Sequence, residues 1–160
     1  MSDKTNAMRV LEAEGIPFEV RAYEIDEDDL SAESAAQALG MAPEQVFKTL
    51  IVQGDQTGPM LALLPAGTEL DFKRMAKATG DKKVELVPLR YVQELTGHVR
   101  GAVTPLAMHR TYPIYIDETV ILWPRVGVSA GAKGLEILLA PQDLINVIGA
   151  VSADIARSAL

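Results

Sequence analysis

Lys48 stands inside an apolar run, Phe47-Lys48-Thr49-Leu50-Ile51-Val52. A cation in that setting has two uses. Its stem can pack while its ammonium reaches water. Alternatively, it can be aimed into a pocket to hold an anionic or carbonyl oxygen. A second candidate is the turn-rich stretch Gly101-Ala102-Val103-Thr104-Pro105, which follows Thr96-Gly97-His98-Val99-Arg100. Glycine there lets the backbone approach a ligand, and proline stiffens the exit. Such a loop can offer N–H groups to an oxygen that gains charge, or it can be an ordinary connection.

Other patterns exclude chemistry. Gly127-Val128-Ser129-Ala130-Gly131 matches the G-x-S-x-G nucleophile elbow. That elbow needs a following helix, and then an acid and a histidine later in the chain. Here Gly131 and Gly134 interrupt any helix, and both histidines, His98 and His109, precede Ser129. A serine-hydrolase triad is therefore not expected. The two histidines also lack metal-site spacing. With no cysteine in the chain, disulfides, thiolate metal sites and a protein thiol nucleophile are ruled out. No P-loop or dinucleotide fingerprint is present.

The elements that must position these residues follow from periodicity and punctuation. Thr5 or Asn6 can cap a first helix with Met8 and Leu11 on one face and Gly15 after its end. Phe18–Tyr23 alternates as a half-buried strand, and Glu24–Asp29 is an acidic loop. Ser31 caps an alanine-rich helix ending at Leu39-Gly40, and Pro43 opens a short turn of helix. Phe47–Val52 and Met60–Leu64 flank a turn and read as a hairpin. On its first strand Phe47, Thr49 and Ile51 share one face, and Lys48, Leu50 and Val52 the other; both are apolar. Asp71 caps a helix to Thr79, Lys83–Val87 is a strand, and Pro88–Leu95 is a helix. Short strands are expected near Tyr112–Ile116, Val120–Leu122, Arg125–Val128 and Leu135–Leu139, with a last helix from Pro141 to about Gly149. The interleaving is irregular, unlike a doubly wound fold. No repeat or long linker divides residues 1–160, so one domain is expected.

Composition is that of a globular protein, with 48% hydrophobic and 23% charged residues. The N-terminus has no signal-peptide core, and no apolar run reaches the roughly 18 residues of a membrane span. A cytoplasmic protein without a membrane partner is expected. The net charge of −7 argues against nucleic acid, but its distribution does not. Residues 1–47 carry eleven acids and three bases, whereas residues 71–133 carry ten bases and six acids. Lys73, Arg74, Lys77, Lys82 and Lys83 form the densest basic stretch, either a solvated face or a phosphate contact.

Taken in order, Ile16-Pro17-Phe18 with Tyr23, Phe47-Lys48-Thr49-Leu50, Gly101-x-x-x-Pro105, Val128-Ser129-Ala130-Gly131-Ala132-Lys133-Gly134-Leu135 and Ala140-Pro141-Gln142-Asp143-Leu144 form a set. The set resembles the YbaK/EbsC family of aminoacyl-tRNA deacylases, and within it the Cys-tRNA(Pro) branch. The resemblance covers nearly the whole chain. It implies an α+β fold, a mixed β-barrel-like sheet surrounded by helices, similar to the editing domain of prolyl-tRNA synthetases. It implies that Lys48 and Gly101 are catalytic. It implies substrate contacts from Tyr23, Thr49, Ala102, Val103, Thr104, Pro105 and Ser129. Glu136 stands where the family often has Asp, and Leu30 replaces an aromatic pocket residue. The implied substrate is the acceptor end of an aminoacyl-tRNA, with prolyl-tRNA synthetase as a partner and no metal or organic cofactor. The implied chemistry is substrate-assisted, with the cysteine thiol attacking its own ester carbonyl. Two other readings stand beside it: a deacylase for alanine or another small amino acid using water, and a non-catalytic module that binds charged tRNA.

Overall fold

A computed structural model describes residues 4–159. Its helices begin where a side-chain oxygen can accept from an otherwise unpaired amide. Thr5 accepts from the Met8 N–H ahead of α1 (Asn6–Ala13), and Ser31 from the Ser34 N–H ahead of α2 (Ala32–Leu39). Asp71 accepts from the Arg74 N–H ahead of α3 (Phe72–Thr79). Gly40, at φ 69°, stops α2 in a left-handed conformation that costs glycine nothing. Helices α4 (Leu89–Thr96) and α5 (Pro141–Ile148) complete the set, and a single 3-10 turn covers Pro43–Gln45.

Strands β2 (Phe47–Gly54) and β3 (Gly58–Pro65) form the expected hairpin, with Lys48 opposite Leu64 and Thr49 opposite Leu63. They lie in a five-stranded sheet of order β5-β2-β3-β6-β9, with β5 (Val84–Leu86), β6 (Ile114–Asp117) and β9 (Val151–Ala153). A second, antiparallel sheet has the order β1-β8-β7, from β1 (Glu19–Ala22), β7 (Val126–Ser129) and β8 (Leu135–Leu139). A third pairs β4 (Thr68–Leu70) with β10 (Ala156–Ser158).

The two faces of β3 serve two cores. Leu61 and Leu63 pack with Phe47, Ile51, Val128 and Ile137, between the two larger sheets. Met60, Ala62 and Leu64 pack with Val52, Met75 of α3 and Ile155 on the opposite side. Each such leucine or isoleucine contributes about 1.5–3 kcal/mol relative to exposure. Burial on both faces explains why β3 reads as a continuous apolar run rather than an alternating one.

Two expectations need correction. The α+β class holds, but the sheets do not close into a barrel. The first strand of the hairpin meets the β1-β8-β7 sheet through one parallel bridge, Val46 to Gly127, and β5 pairs with only Val52–Gly54 of β2. Residues Val120–Leu122 are not a strand but part of a 3-10 helix, Glu118–Leu122. The buried Asp117 carboxylate dictates this. It accepts from the Thr119 N–H and hydroxyl, turning the chain, and from the Ile155 and Ala156 N–H groups, which anchors β10. Strands β4, β9 and β10, each three residues long, were not expected.

Candidate active site

The unclosed seam of the fold is a cleft of about 620 Å³. Beyond the Val46–Gly127 bridge and before the pairing with β5, among the described residues, no strand covers the outer edge of β2 over Lys48–Leu50. Tyr23, Leu30, Lys48, Thr49, Gly101, Val103, Ser129 and Glu136 all line this cleft. These residues come from β1 and its loop, β2, the 97–105 segment, β7 and β8, so the structure joins most of the expected set.

Lys48 combines both readings of its sequence context. Its side chain is only 25% exposed, so the stem is packed, yet its ammonium is held at a defined place. Nζ donates to the Thr68 carbonyl at 2.7 Å and to Glu33 Oε1 at 3.3 Å. The same Glu33 oxygen accepts from the Gly67 N–H. Burial pushes the Glu33 carboxyl up, but the Gly67 amide and the Lys48 charge outweigh it and hold the carboxyl below its ordinary range. An ammonium has three donors, so one remains for an oxygen in the cleft. Lys48 is thus a fixed cation.

At the other side of the cleft lies Glu136, only 4% exposed and directly across the ladder from Ser129. Among the described residues no donor reaches its carboxyl. Burial raises its pKa to about 8, so it is mostly uncharged at neutral pH. The Tyr23 hydroxyl is raised as well, by its own burial and then by the Glu136 charge. Gly127 lets Glu136 lie flat on β7: a Cβ there would sit 3.0 Å from Glu136 Oε2. Ser129 Oγ accepts from the Gly131 N–H, and Nε2 of His98 pairs with the Ala107 carbonyl, so no serine–histidine relay forms.

The Gly101 loop is placed differently from expectation in part. Gly101 has φ +86° and packs against Leu30, which a Cβ would approach to 3.3 Å. Ala102, Thr104 and Pro105 do not line the cleft; they are buried behind it. The Ala102 N–H already donates to the Val99 carbonyl, and Thr104 Oγ1 accepts from Leu106 N–H. Any oxyanion contact from this loop therefore falls to Gly101 and Val103.

Comparison with known proteins bears on what this cleft is for. Residues 26–147 match the family described as aminoacyl-tRNA editing domain. The chain belongs to that family. Over 95% of its length it is 40% identical to the Enterococcus faecalis protein named "Putative Cys-tRNA(Pro)/Cys-tRNA(Cys) deacylase EbsC", covering 93% of that protein. Over 86% it is 26% identical to the Escherichia coli protein named "Multifunctional Ser/Thr-tRNA deacylase ProXp-y", covering 83% of it. A crystal structure described as "a putative trans-editing enzyme for prolyl tRNA synthetase" superposes with a TM-score of 0.82 at 28% identity, over 98% of this chain and all of the other.

In this editing domain several cleft residues escaped sequence reasoning. Glu33 reaches Lys48 across fifteen positions, and no local pattern announces that pairing. Leu86, Leu89, Arg90 and Arg100 also line the cleft. Leu89 lies on the same face of α4 as the buried Val92 and Thr96, so its pattern announces a core position, yet it stays open at the first turn of the helix. The basic stretch from Lys73 to Lys83 lies elsewhere. None of its five bases lines the cleft, Arg74 pairs with Asp71 and Asp154, and Lys83 pairs with Glu85. Among the described residues, no helix is long and apolar enough to cross a membrane. No group of three His, Asp or Glu side chains there is arranged to hold a metal.

Proposed function

We propose that this editing domain removes cysteine from mischarged Cys-tRNA(Pro), acting in trans in the cytoplasm beside prolyl-tRNA synthetase. One observation carries the reading: a single cleft joins a fixed cation, a glycine turn and a buried carboxyl that no donor reaches among the described residues. The 40% identity to EbsC supports the cysteine branch.

The substrate supplies its own nucleophile. The S–H bond of its thiol breaks as the sulfur attacks the ester carbonyl, a C–S bond forms, the C–O bond breaks, and the leaving ribose oxygen takes up the proton given up by the thiol. The products are a cyclic thiolactone and free tRNA. No protein nucleophile is required, so the protein's work is positioning, which can supply much of the rate. The N–H groups of Gly101 and Val103 face the carbonyl oxygen as charge gathers there. Lys48 spends its third donor on the terminal ribose or phosphate and stabilises the departing oxygen. Glu136 ionises when the α-ammonium of the amino acid enters, because a cation in contact reverses the penalty of burial. Tyr23, Leu30, Thr49 and Ser129 shape the remaining wall.

The test is single-turnover deacylation of Cys-tRNA(Pro) by wild type and Lys48→Ala. The expected result is turnover by the wild type and a large loss in the variant. No turnover by either protein refutes the enzyme reading, and equal turnover refutes the role of Lys48. Replacing cysteine by serine on the tRNA is expected to slow release sharply, since a hydroxyl is a poorer nucleophile. Rapid serine release would refute thiol assistance and favour a water-based deacylase; a relative named as a Ser/Thr-tRNA deacylase makes serine the apt comparison.

A further inference from the structure

The cleft has two unlike walls. One has an acidic rim: Glu33, paired with Lys48, lines the cleft, and Glu24, Asp26, Glu27, Asp28 and Asp29 lie in the segment between the lining residues Tyr23 and Leu30. The other is formed by the end of β5, α4 and the turn after it. Leu86, Leu89 and Val99 line the cleft there with 53%, 65% and 45% of their surface open. Arg90 and Arg100 line the same wall, and among the described residues neither has an acidic partner. The Arg90 guanidinium lies 4.9 Å from the centre of the exposed Tyr91 ring.

Apolar side chains left open beside the site, flanked by unpaired guanidinium groups, suit one class of partner. Unpaired nucleotides present a base face that stacks on apolar or aromatic surface, and a phosphate that takes an arginine. A protein partner would be expected to meet the leucines without requiring both free arginines. The acidic rim also sets the direction. It repels phosphates and attracts an ammonium, so the RNA backbone must run along α4 while the amino acid faces Glu136.

We propose that this wall seats the unpaired 3′ end of the tRNA, with bases on Leu86, Leu89 and Val99 and phosphates on Arg90 and Arg100. The proposal rests on the aminoacyl-tRNA reading of the site.

It is tested with uncharged RNA, by fluorescence anisotropy at several salt concentrations. The probes are an acceptor-stem hairpin with its unpaired 3′ nucleotides and the same hairpin trimmed flush. Trimming is expected to weaken wild-type binding about tenfold or more, the loss of at least one stacked base. Leu89→Ser is expected to abolish most of that difference. Arg90→Ala with Arg100→Ala is expected to lower the slope of log affinity against log salt by about 1.4, two single-strand phosphate contacts. All three positions are exposed, and circular dichroism checks that the variants are folded. Equal binding of both hairpins by the wild type overturns the proposal. So does unchanged tail discrimination in folded Leu89→Ser, or an unchanged salt slope in the arginine variant. So would loss of synthetase binding in Leu89→Ser with RNA binding intact. The two readings fail separately. Tail-dependent binding without turnover of any charged tRNA refutes the deacylase and leaves this wall standing. Turnover with tail-independent binding does the reverse.

Discussion

Replacing Glu136 by glutamine is expected to flatten the pH dependence of stability on the alkaline side. The carboxyl is buried, lacks a donor among the described residues, and has its pKa raised from 4.5 to about 8. Between those two values the folded protein binds more protons than the unfolded chain. Stability must therefore fall as pH rises through that window. Full ionisation in the cleft costs about 5 kcal/mol, at about 1.4 kcal/mol per pH unit of separation between the ordinary value 4.5 and about 8. Between about pH 5.5 and about pH 8.5 the wild type should lose about 3 kcal/mol through this group. Glutamine keeps the size of the side chain but has no proton to lose. Urea denaturation of both proteins at the two pH values measures the difference. The variant should gain relative to the wild type at the higher pH, while its KM for charged tRNA rises because the α-ammonium loses its counter-charge. Parallel stability curves for the two proteins would refute the reasoning, since a carboxyl that ionises freely in the cleft is not held neutral by burial.

Three further outcomes are expected. Glu33→Gln keeps an acceptor for the Gly67 N–H but removes the charge beside Lys48. It should reduce kcat/KM about three- to tenfold with little change in melting temperature, and Glu33→Asp should recover part of it. Gly101→Ala must hold φ +86° and crowd Leu30 at 3.3 Å, so it should cost about 1–2 kcal/mol in denaturant unfolding and raise KM. An unchanged KM would mean that the turn does not border the bound substrate. Asp81→Ala orphans the Gln56 and Thr57 amides and leaves the Thr79 hydroxyl only its bond to the Ala76 carbonyl, a loss of about 2–3 kcal/mol. The Thr79 hydroxyl first, and then the Thr57 and Gln56 amides, hold the Asp81 carboxyl down at about 2. The wild type therefore keeps this contribution above the ordinary carboxylate range and loses it as pH falls toward about 2, a component absent from the variant's acid titration.

Much of this protein is decided locally and was legible in its residues. Thr5, Ser31 and Asp71 cap helices because a short polar side chain satisfies a backbone amide two or three residues away. The hairpin around Lys48 follows from an apolar run, a turn and a second apolar run. The ordered motifs also pointed to Lys48, Gly101, Tyr23, Ser129 and Glu136, which the fold gathers in one cleft. What the residues could not reveal depends on distant packing. Whether the sheet closed was set by how far β5 pairs along β2, and it stops after three residues. That arrest leaves the edge of β2 open and makes the cleft. The partner of Lys48 came from α2, because only the fold brings Glu33 and the Thr68 carbonyl to the same ammonium. Ala102, Thr104 and Pro105 share a motif with Gly101 but turn inward, since a loop can present only part of itself to a cavity while the rest anchors it. The charge of Glu136 is likewise a tertiary property. The residue type supplies a carboxyl, and its burial beside Gly127, Ser129 and Tyr23 decides that it keeps its proton at neutral pH.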